Sequence, residues 1–277
     1  MNTLVRKTEK PLSYSWLERC RWNVLDLITI VGRQAIPTTL FCDVDMTWAE
    51  NLRSEFLARN NRLTETAILL KAIGIAQRNH PASRSTMLPW GRIATFERIV
   101  AGFTVERKVG EQPAVFFGSI ESPDTKPLEA IAQELRMFSE CSLEEHPQLA
   151  LETKFSKMPW CLRQILLRLI MILPELRQKS MASTFGVSSL GKYGASAITG
   201  PCVCTSTFGV GVVEDRPIVR NGQVIVRPML TLSLLFDHRC IDGACAARFL
   251  REVKELLEGR LEEHLLTERN PSARNLS

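Results

Sequence analysis

The stretch FDHRCIDGACAARFL, residues 236–250, holds the side chains best suited to chemistry in this chain. His238 follows an apolar segment, and Asp242 and Gly243 come shortly after it. An imidazole pKa of about 6.5 makes histidine a natural base at neutral pH, provided that its ring is held in one orientation. We expect Asp242 to shape the turn, either by pairing with an arginine or as a helix N-cap. In the alternative without chemistry, His238 is a hydrogen-bonded interior residue and Gly243 only tightens the turn.

The elements around this turn follow from hydrophobic periodicity. QVIVRPMLTLSLLFDHR alternates like a strand, and the apolar positions of 246–257 fall on one helical face. The turn therefore joins a strand to a helix. Asn221-Gly222, just before that strand, predicts a hairpin. Strands and helices are intermixed along the chain, which predicts a mixed α/β (α+β) domain.

Composition excludes several classes of protein. The chain has 277 residues, is 45% hydrophobic and 23% charged, and carries a net charge of +5, as a globular domain does. Its basic residues are dispersed without an aromatic platform, so we expect no nucleic-acid binding. The first residues lack an apolar signal core, and the eight cysteines form no paired CxxC motifs. We expect a cytoplasmic protein with free thiols and no metal site, and we expect Cys202 and Cys204 to share one strand face.

LTLSLLFDHRCIDGACAARFL closely resembles the C-terminal active-site motif of the dihydrolipoamide acyltransferases, the core subunits of 2-oxo acid dehydrogenase complexes. That motif is a strand followed by DHRxxDGAxxARFL. GVSSLGKYG (186–194) resembles the family's Thr/Ser-Asn-Leu-Gly segment, and LLKAIGIAQRNHP and IPTTLFCDVDMT resemble two earlier segments. The resemblance spans roughly residues 22–260 and is weak from 82 to 160. It implies the fold of chloramphenicol acetyltransferase, a mixed β-sheet flanked by helices.

The resemblance also implies a mechanism. His238 takes the place of the general base, Ser188 that of the hydroxyl that stabilises the oxyanion, and Asp242 a structural place, while Ser189 is a rival to Ser188. The implied reaction moves an acyl group from a CoA or carrier-protein thioester to a thiol, hydroxyl or amine on a small-molecule or carrier-borne acceptor. Coenzyme A or acyl-CoA is then a co-substrate, with no covalently bound cofactor. The implied assembly is a homotrimer, or a higher multiple, whose sites lie between subunits.

The expected organisation is a loose N-terminal segment (1–21), an acyltransferase catalytic domain (22–262) and a polar C-terminal tail (263–277). No lipoyl or subunit-binding domain fits before residue 22, so we expect a stand-alone member of the family. Two alternatives stay open. One is a non-catalytic trimeric scaffold, and the other is a peripheral lipid-handling protein.

The second alternative depends on the basic, apolar segment KMPWCLRQILLRLIMILPELRQKSM, residues 157–181. It is predicted to be a helix interrupted by Pro174 and too short to cross a bilayer. We expect it to face the core or another subunit. A lid over a long acyl chain and an interfacial membrane helix are the alternatives, and membrane contact is not favoured.

Overall fold

The computed structural model describes residues 19–109 and 112–269. The chain runs, in order, through α1 (Arg19–Asp26), β1 (Pro37–Asp45), α2 (Thr47–Ala58), α3 (Glu65–Asn79), β2 (Ser85–Met87), β3 (Ile93–Thr95), β4 (Val100–Val109), β5 (Gln112–Glu121), α4 (Leu128–Glu140), α5 (Pro147–Lys157), α6 (Trp160–Ile172), α7 (Pro174–Ser180), β6 (Phe185–Ser189), β7 (Ser206–Arg220), β8 (Gln223–Asp237), α8 (Gly243–Glu255) and α9 (Leu261–Arg269). Most of the predicted loose N-terminal segment and the end of the predicted tail lie outside the described residues.

Six strands form one mixed sheet in the order β1-β8-β7-β6-β4-β5. The β4–β6 and β6–β7 pairs are parallel, and the other pairs are antiparallel. The β7–β8 hairpin turns at Asn221-Gly222, where both residues have positive φ (52° and 77°), as a tight primed turn requires. The β4–β5 hairpin pairs Val109 with Gln112. The predicted hairpin at Asn221-Gly222 and the mixed α/β class are therefore confirmed.

α3 is the central helix of the core. All of its residues from Ala67 to Gln77 are buried, in agreement with a sequence that is apolar on most sides of the helix. The helix packs with α4 and α8 on the sheet face formed by alternate residues of β8, such as Leu232 and Leu234. Lys71 is buried within it, and its Nζ donates hydrogen bonds to the carbonyl oxygens of Asp124 and Lys126. The turn between β8 and α8 joins two elements of this packed layer, so the layer fixes its position.

The opposite face of the sheet is covered by the irregular segment between β6 and β7. Gly211 makes this close approach possible, since a Cβ there would overlap the carbonyl oxygen of Ser196. The Val212 amide donates to the Ala195 carbonyl at 2.8 Å. Cys202 and Cys204 lie in this segment and not on a strand, because β7 begins only at Ser206. The expectation that both share a strand face is therefore wrong.

The segment 157–181 forms two helices that meet at Pro174, as predicted. Leu167, Ile170 and Met171 of α6 pack against Ile30 and Val31, forming a second and smaller apolar cluster. This cluster is separate from the main core. No helix among residues 19–109 and 112–269 is long and apolar enough to cross a membrane.

Glu152 of α5 should make the stability of the fold depend on pH. Burial raises its pKa to about 7, although the Phe117 amide donates a hydrogen bond to its Oε2 at 3.0 Å. The native state therefore binds this proton more tightly than the unfolded chain does, and stability falls as the pH rises from about 4.5 through 7. Glu152→Gln keeps the acceptor for Phe117 and removes the titration. Urea unfolding should show the variant gaining stability over the wild type between pH 5.5 and pH 8. A constant difference would exclude Glu152 as the titrating group.

Candidate active site

The turn from β8 to α8 is held by the Asp237 carboxylate. Arg239 binds it through Nε and Nη2, the latter at 2.6 Å, and the Arg239 and Ile36 amides donate to its Oδ1. Burial alone would raise the pKa of Asp237, but these hydrogen bonds outweigh it and hold that pKa below its ordinary value. The turn therefore contains an ionised, hydrogen-bonded carboxylate that ties it to β1.

His238 is the exposed residue at the tip of this turn. Its amide donates to the Ile36 carbonyl at 2.9 Å, so its backbone is anchored from both sides. The imidazole lies 5.6 Å from the Phe236 ring, centroid to centroid, at a tilted angle. Across residues 19–109 and 112–269, no side-chain hydrogen bond to the imidazole is found. The ring is thus open to an incoming group, while its backbone is fixed.

Asp242 is the N-cap of α8. Its Oδ1 accepts a hydrogen bond from the Cys245 amide at 2.7 Å, and this bond lowers the pKa of the carboxyl group. The sequence left two structural alternatives for this residue, and the structure shows the cap. The pairing of carboxylate with arginine occurs in the same turn, but it uses Asp237 and Arg239.

We expect Asp242→Ala to lower the melting temperature by about 2–4 °C, because it removes the cap of the longest C-terminal helix. Asp242→Asn is the matched control, since asparagine caps helices as well as aspartate does and should keep the wild-type melting temperature. Differential scanning calorimetry of both variants makes the comparison. If the Asp242→Ala variant has the melting temperature of the wild type, the cap formed by Asp242 does not stabilise the fold.

Ser188 lies on β6, in the middle of the sheet. Its side chain is partly exposed, and the Thr104 Oγ1 on the neighbouring strand donates to its Oγ at 3.5 Å. Ser189 is fully exposed and points to the other face, since successive strand residues alternate. Gly191 follows directly, and a Cβ there would lie 2.6 Å from the Gly211 carbonyl oxygen. Only glycine therefore fits this crossing.

A single chain does not bring Ser188 and His238 together. Ser188 pairs with Gly209 on β7, and Gly209 pairs with Ser233 on β8. His238 lies five residues beyond Ser233, about 17 Å along the strand, and β8 is about 10 Å from β6 across the sheet. A site that uses both residues must take them from two different chains.

A small cavity of about 20 Å³ lies behind the β8–α8 turn, with room for a single water molecule. Asp237 and Arg239 line it from the turn, and Met171 of α6 and Arg177 of α7 line it from the other side. Arg177 is buried and donates to the Thr86 hydroxyl at 2.6 Å. The end of α6 and the Arg177 side chain of α7 therefore lie beside the turn that carries His238.

Three contributors to this geometry were not assigned a role from the sequence. Asp237 and Arg239 flank His238 in the DHR triplet, so their positions were available as a signal. Thr104 gave no signal, because β4 meets β6 only through a parallel pairing over a long sequence separation. The structure therefore adds two features to the site. One is the Asp237 carboxylate, bound by Arg239, next to His238, and the other is the Thr104 hydroxyl next to Ser188.

Residues 175–266 match the family described as 2-oxoacid dehydrogenases acyltransferase (catalytic domain). The resemblance to this acyltransferase family, which the sequence motifs indicated, is thereby confirmed. The matched residues include β6, β7, β8 and α8, and with them Ser188, His238 and Asp242.

The similar curated proteins are components of large complexes. The probable dihydrolipoyllysine-residue succinyltransferase component of the 2-oxoglutarate dehydrogenase complex of Schizosaccharomyces pombe is 44% identical over 89 residues, 30% of this chain and 19% of that protein. The lipoamide acyltransferase component of the branched-chain alpha-keto acid dehydrogenase complex of Pseudomonas putida is 42% identical over 85 residues, 30% of this chain and 20% of that protein. The aligned residues thus span about a fifth of the length of these relatives.

The likeness to solved structures extends over nearly the whole chain. Azotobacter vinelandii dihydrolipoamide acetyltransferase superposes with a TM-score of 0.70 at 23% identity, covering 90% of this chain and 92% of that one. Chloramphenicol acetyltransferase superposes with a TM-score of 0.52 at 17% identity, covering 88% of this chain and 96% of that one. The predicted chloramphenicol acetyltransferase-like fold is therefore confirmed.

Proposed function

We propose that the protein is an acyltransferase that moves an acyl group between a thioester and an acceptor, with His238 as general base. The proposal depends above all on the structure of the β8–α8 turn that contains His238, which we call the histidine turn. The Asp237 carboxylate, bound by Arg239, and the Asp242 helix cap fix the backbone on both sides of the exposed His238 imidazole. The whole turn lies within the segment that matches the acyltransferase family. The resemblance to the acyltransferase family implies coenzyme A as the thiol of the donor, and the relatives named for lipoamide and dihydrolipoyllysine support a dihydrolipoyl group as one acceptor.

In the proposed reaction, the neutral His238 imidazole takes the proton of the acceptor thiol as its sulfur attacks the thioester carbonyl. A tetrahedral intermediate forms, and its oxyanion accepts a hydrogen bond from the Ser188 hydroxyl. The intermediate then expels the CoA thiolate, which takes the proton back from the imidazolium. Atoms and charge balance without a metal or a redox step. Asp237, Arg239 and Asp242 hold the turn and do not touch the reacting atoms.

Support for these roles also comes from a relative. The study of the Azotobacter vinelandii enzyme concerns the role of a serine, a histidine and an asparagine in its catalytic mechanism, and that histidine and asparagine are four positions apart. His238 and Asp242 have the same spacing. Aspartate and asparagine are equally good N-caps, which fits a structural role at this position.

The proposed assembly is a homotrimer or a multiple of it. The distance between Ser188 and His238 within one chain supports a site formed by two chains. One of the similar solved structures is the cubic core of the pyruvate dehydrogenase multienzyme complex, which superposes with a TM-score of 0.68.

The direct test is a panel of acetyl-, succinyl- and branched-chain acyl-CoA thioesters, with release of free CoA measured with and without dihydrolipoamide. We expect release of CoA to depend on both the acyl-CoA and the acceptor. The His238→Ala protein serves as the blank. Equal release by that variant and the wild type across the panel and a set of acceptor thiols, alcohols and amines would overturn the proposal.

A further inference from the structure

One face of α6 carries large apolar side chains that no described part of the chain covers. Leu162, Ile165, Leu169 and Ile172 recur at the spacing of one helix face and are 48%, 57%, 45% and 54% exposed. Leu173, just after the end of the helix, extends this face and is 49% exposed. We call these five residues the α6 stripe. Contiguous apolar surface of this kind marks an interaction site.

The stripe cannot be buried by rolling the helix. Asp26 fixes the opposite face, since Arg163 Nε donates to its Oδ2 at 2.9 Å and Gln164 Nε2 donates to its Oδ1 at 2.8 Å. The Arg163 and Asp26 side chains are only 5% and 3% exposed, and separating such a pair leaves a buried charge without a partner. Among residues 19–109 and 112–269, the stripe therefore stays on the surface as long as these buried contacts persist.

The exposed charged residues on α6 and on the helices that flank it in sequence are predominantly positive. Lys154, Lys157, Arg168 and Lys179 are exposed, and Glu175 is the only acidic residue between positions 154 and 180. Cations beside an apolar face are typical of helices that lie in the interface of a bilayer with anionic lipids. In a two-fold contact of stripe with stripe, a second copy would bring the same cations face to face, and a contact of the stripe with a different surface of a second copy is an outcome of the test below.

We propose that the α6 stripe docks the protein on the surface of a bilayer that contains anionic phospholipid. The helix lies parallel to the surface, with its apolar side chains among the upper acyl chains and its cations at the headgroups. The stripe ends next to α7, which lines the cavity behind the His238 turn. The proposal does not depend on the acyl-transfer reaction.

The test is co-sedimentation of the full-length protein with vesicles of phosphatidylcholine, with and without phosphatidylglycerol. We expect binding to the anionic vesicles only, weakened by 0.5 M salt. Ile165→Ser combined with Leu169→Ser should lower the partition coefficient at least about tenfold. Leu57→Ser combined with Leu266→Ser is the matched control, because these residues are equally exposed on other helices (67% and 57%) and should leave binding unchanged.

Circular dichroism establishes that the variants fold. If the double serine variant unfolds, the variant that combines Lys157→Glu with Arg168→Glu replaces it, since both positions are exposed. This variant tests the attraction between the cations and the anionic headgroups, and it should lower binding to anionic vesicles about as strongly. Absence of wild-type binding to anionic vesicles overturns the proposal. Loss of vesicle binding together with a change of oligomeric state in the stripe variants also overturns it, in favour of a second copy. A lost preference for long-chain over short-chain acyl-CoA, without vesicle binding, overturns it in favour of a lid over the acyl chain.

Discussion

Replacing His238 with alanine lowers the rate of acyl transfer by about 10²–10⁴-fold and leaves the melting temperature unchanged. The rate effect is that of removing a general base from the step that activates the acceptor. Stability is unaffected because the imidazole is exposed and makes no side-chain hydrogen bond within residues 19–109 and 112–269, while Asp237 and the Ile36 carbonyl hold the backbone. Steady-state release of CoA, with the acyl donor and acceptor found in the thioester panel, gives the measurement.

His264→Ala is the control for this result, because His264 lies on α9, outside the turn. It should keep the wild-type rate. Activity of His238→Ala within threefold of the wild type would remove His238 from the reaction. A His238→Ala protein that is folded and has a large loss in rate shows that His238 acts in the reaction and not in the stability of the fold. The Asp242→Ala variant alone cannot make this distinction, because it also removes a helix cap.

Replacing Ser188 with alanine should lower the rate by about 10²–10³-fold, as the loss of one oxyanion donor does. The expected change is in kcat rather than KM, because this hydrogen bond strengthens only as negative charge develops on the carbonyl oxygen. Ser188→Thr keeps the hydroxyl group and should retain most of the activity. Thr104 donates to the same oxygen and can orient the hydroxyl group towards the substrate.

Ser189→Ala is the control closest in sequence, because Ser189 is exposed on the opposite face of the strand. It should leave the rate at the wild-type value. A large loss with Ser189→Ala and none with Ser188→Ala would transfer the role to Ser189.

Much of the fold could be predicted because its signals are local. The apolar sequence of α3 predicted a buried helix, Asn221-Gly222 predicted a tight hairpin, and Pro174 predicted the break between α6 and α7. The residues of the turn that carries His238 could also be predicted from the sequence, because they are contiguous in it. A capping aspartate followed by a glycine and an apolar helical face is itself a local pattern.

The parts that the sequence did not predict depend on contacts between distant segments. The partner of Asp237 across the turn is the Ile36 amide of the approach to β1, and no short-range pattern identifies it. Cys202 was assigned to a strand because apolar and small residues continue through it, but the close approach of residues 195–198 to the sheet displaces that segment. The exposure of α6 could not be predicted either, because its apolar residues occupy both faces and the contacts that decide which face is buried, with Asp26, Ile30 and Val31, come from a distant segment of the chain.

The central claim is that an acyl-transfer site forms from His238 of one chain and Ser188 of another, and mixed assemblies test it most directly. His238→Ala and Ser188→Ala chains are unfolded, mixed in equal amounts and refolded together, and CoA release is compared with that of each variant refolded alone. In a mixed trimer, one junction joins an intact His238 to an intact Ser188, so random mixing restores about a quarter of all sites. The account predicts about a quarter of wild-type activity from the mixture, far above the roughly 10⁻²–10⁻³ expected of a site without its oxyanion donor. Verified mixed trimers with no more activity than the separate variants would contradict it.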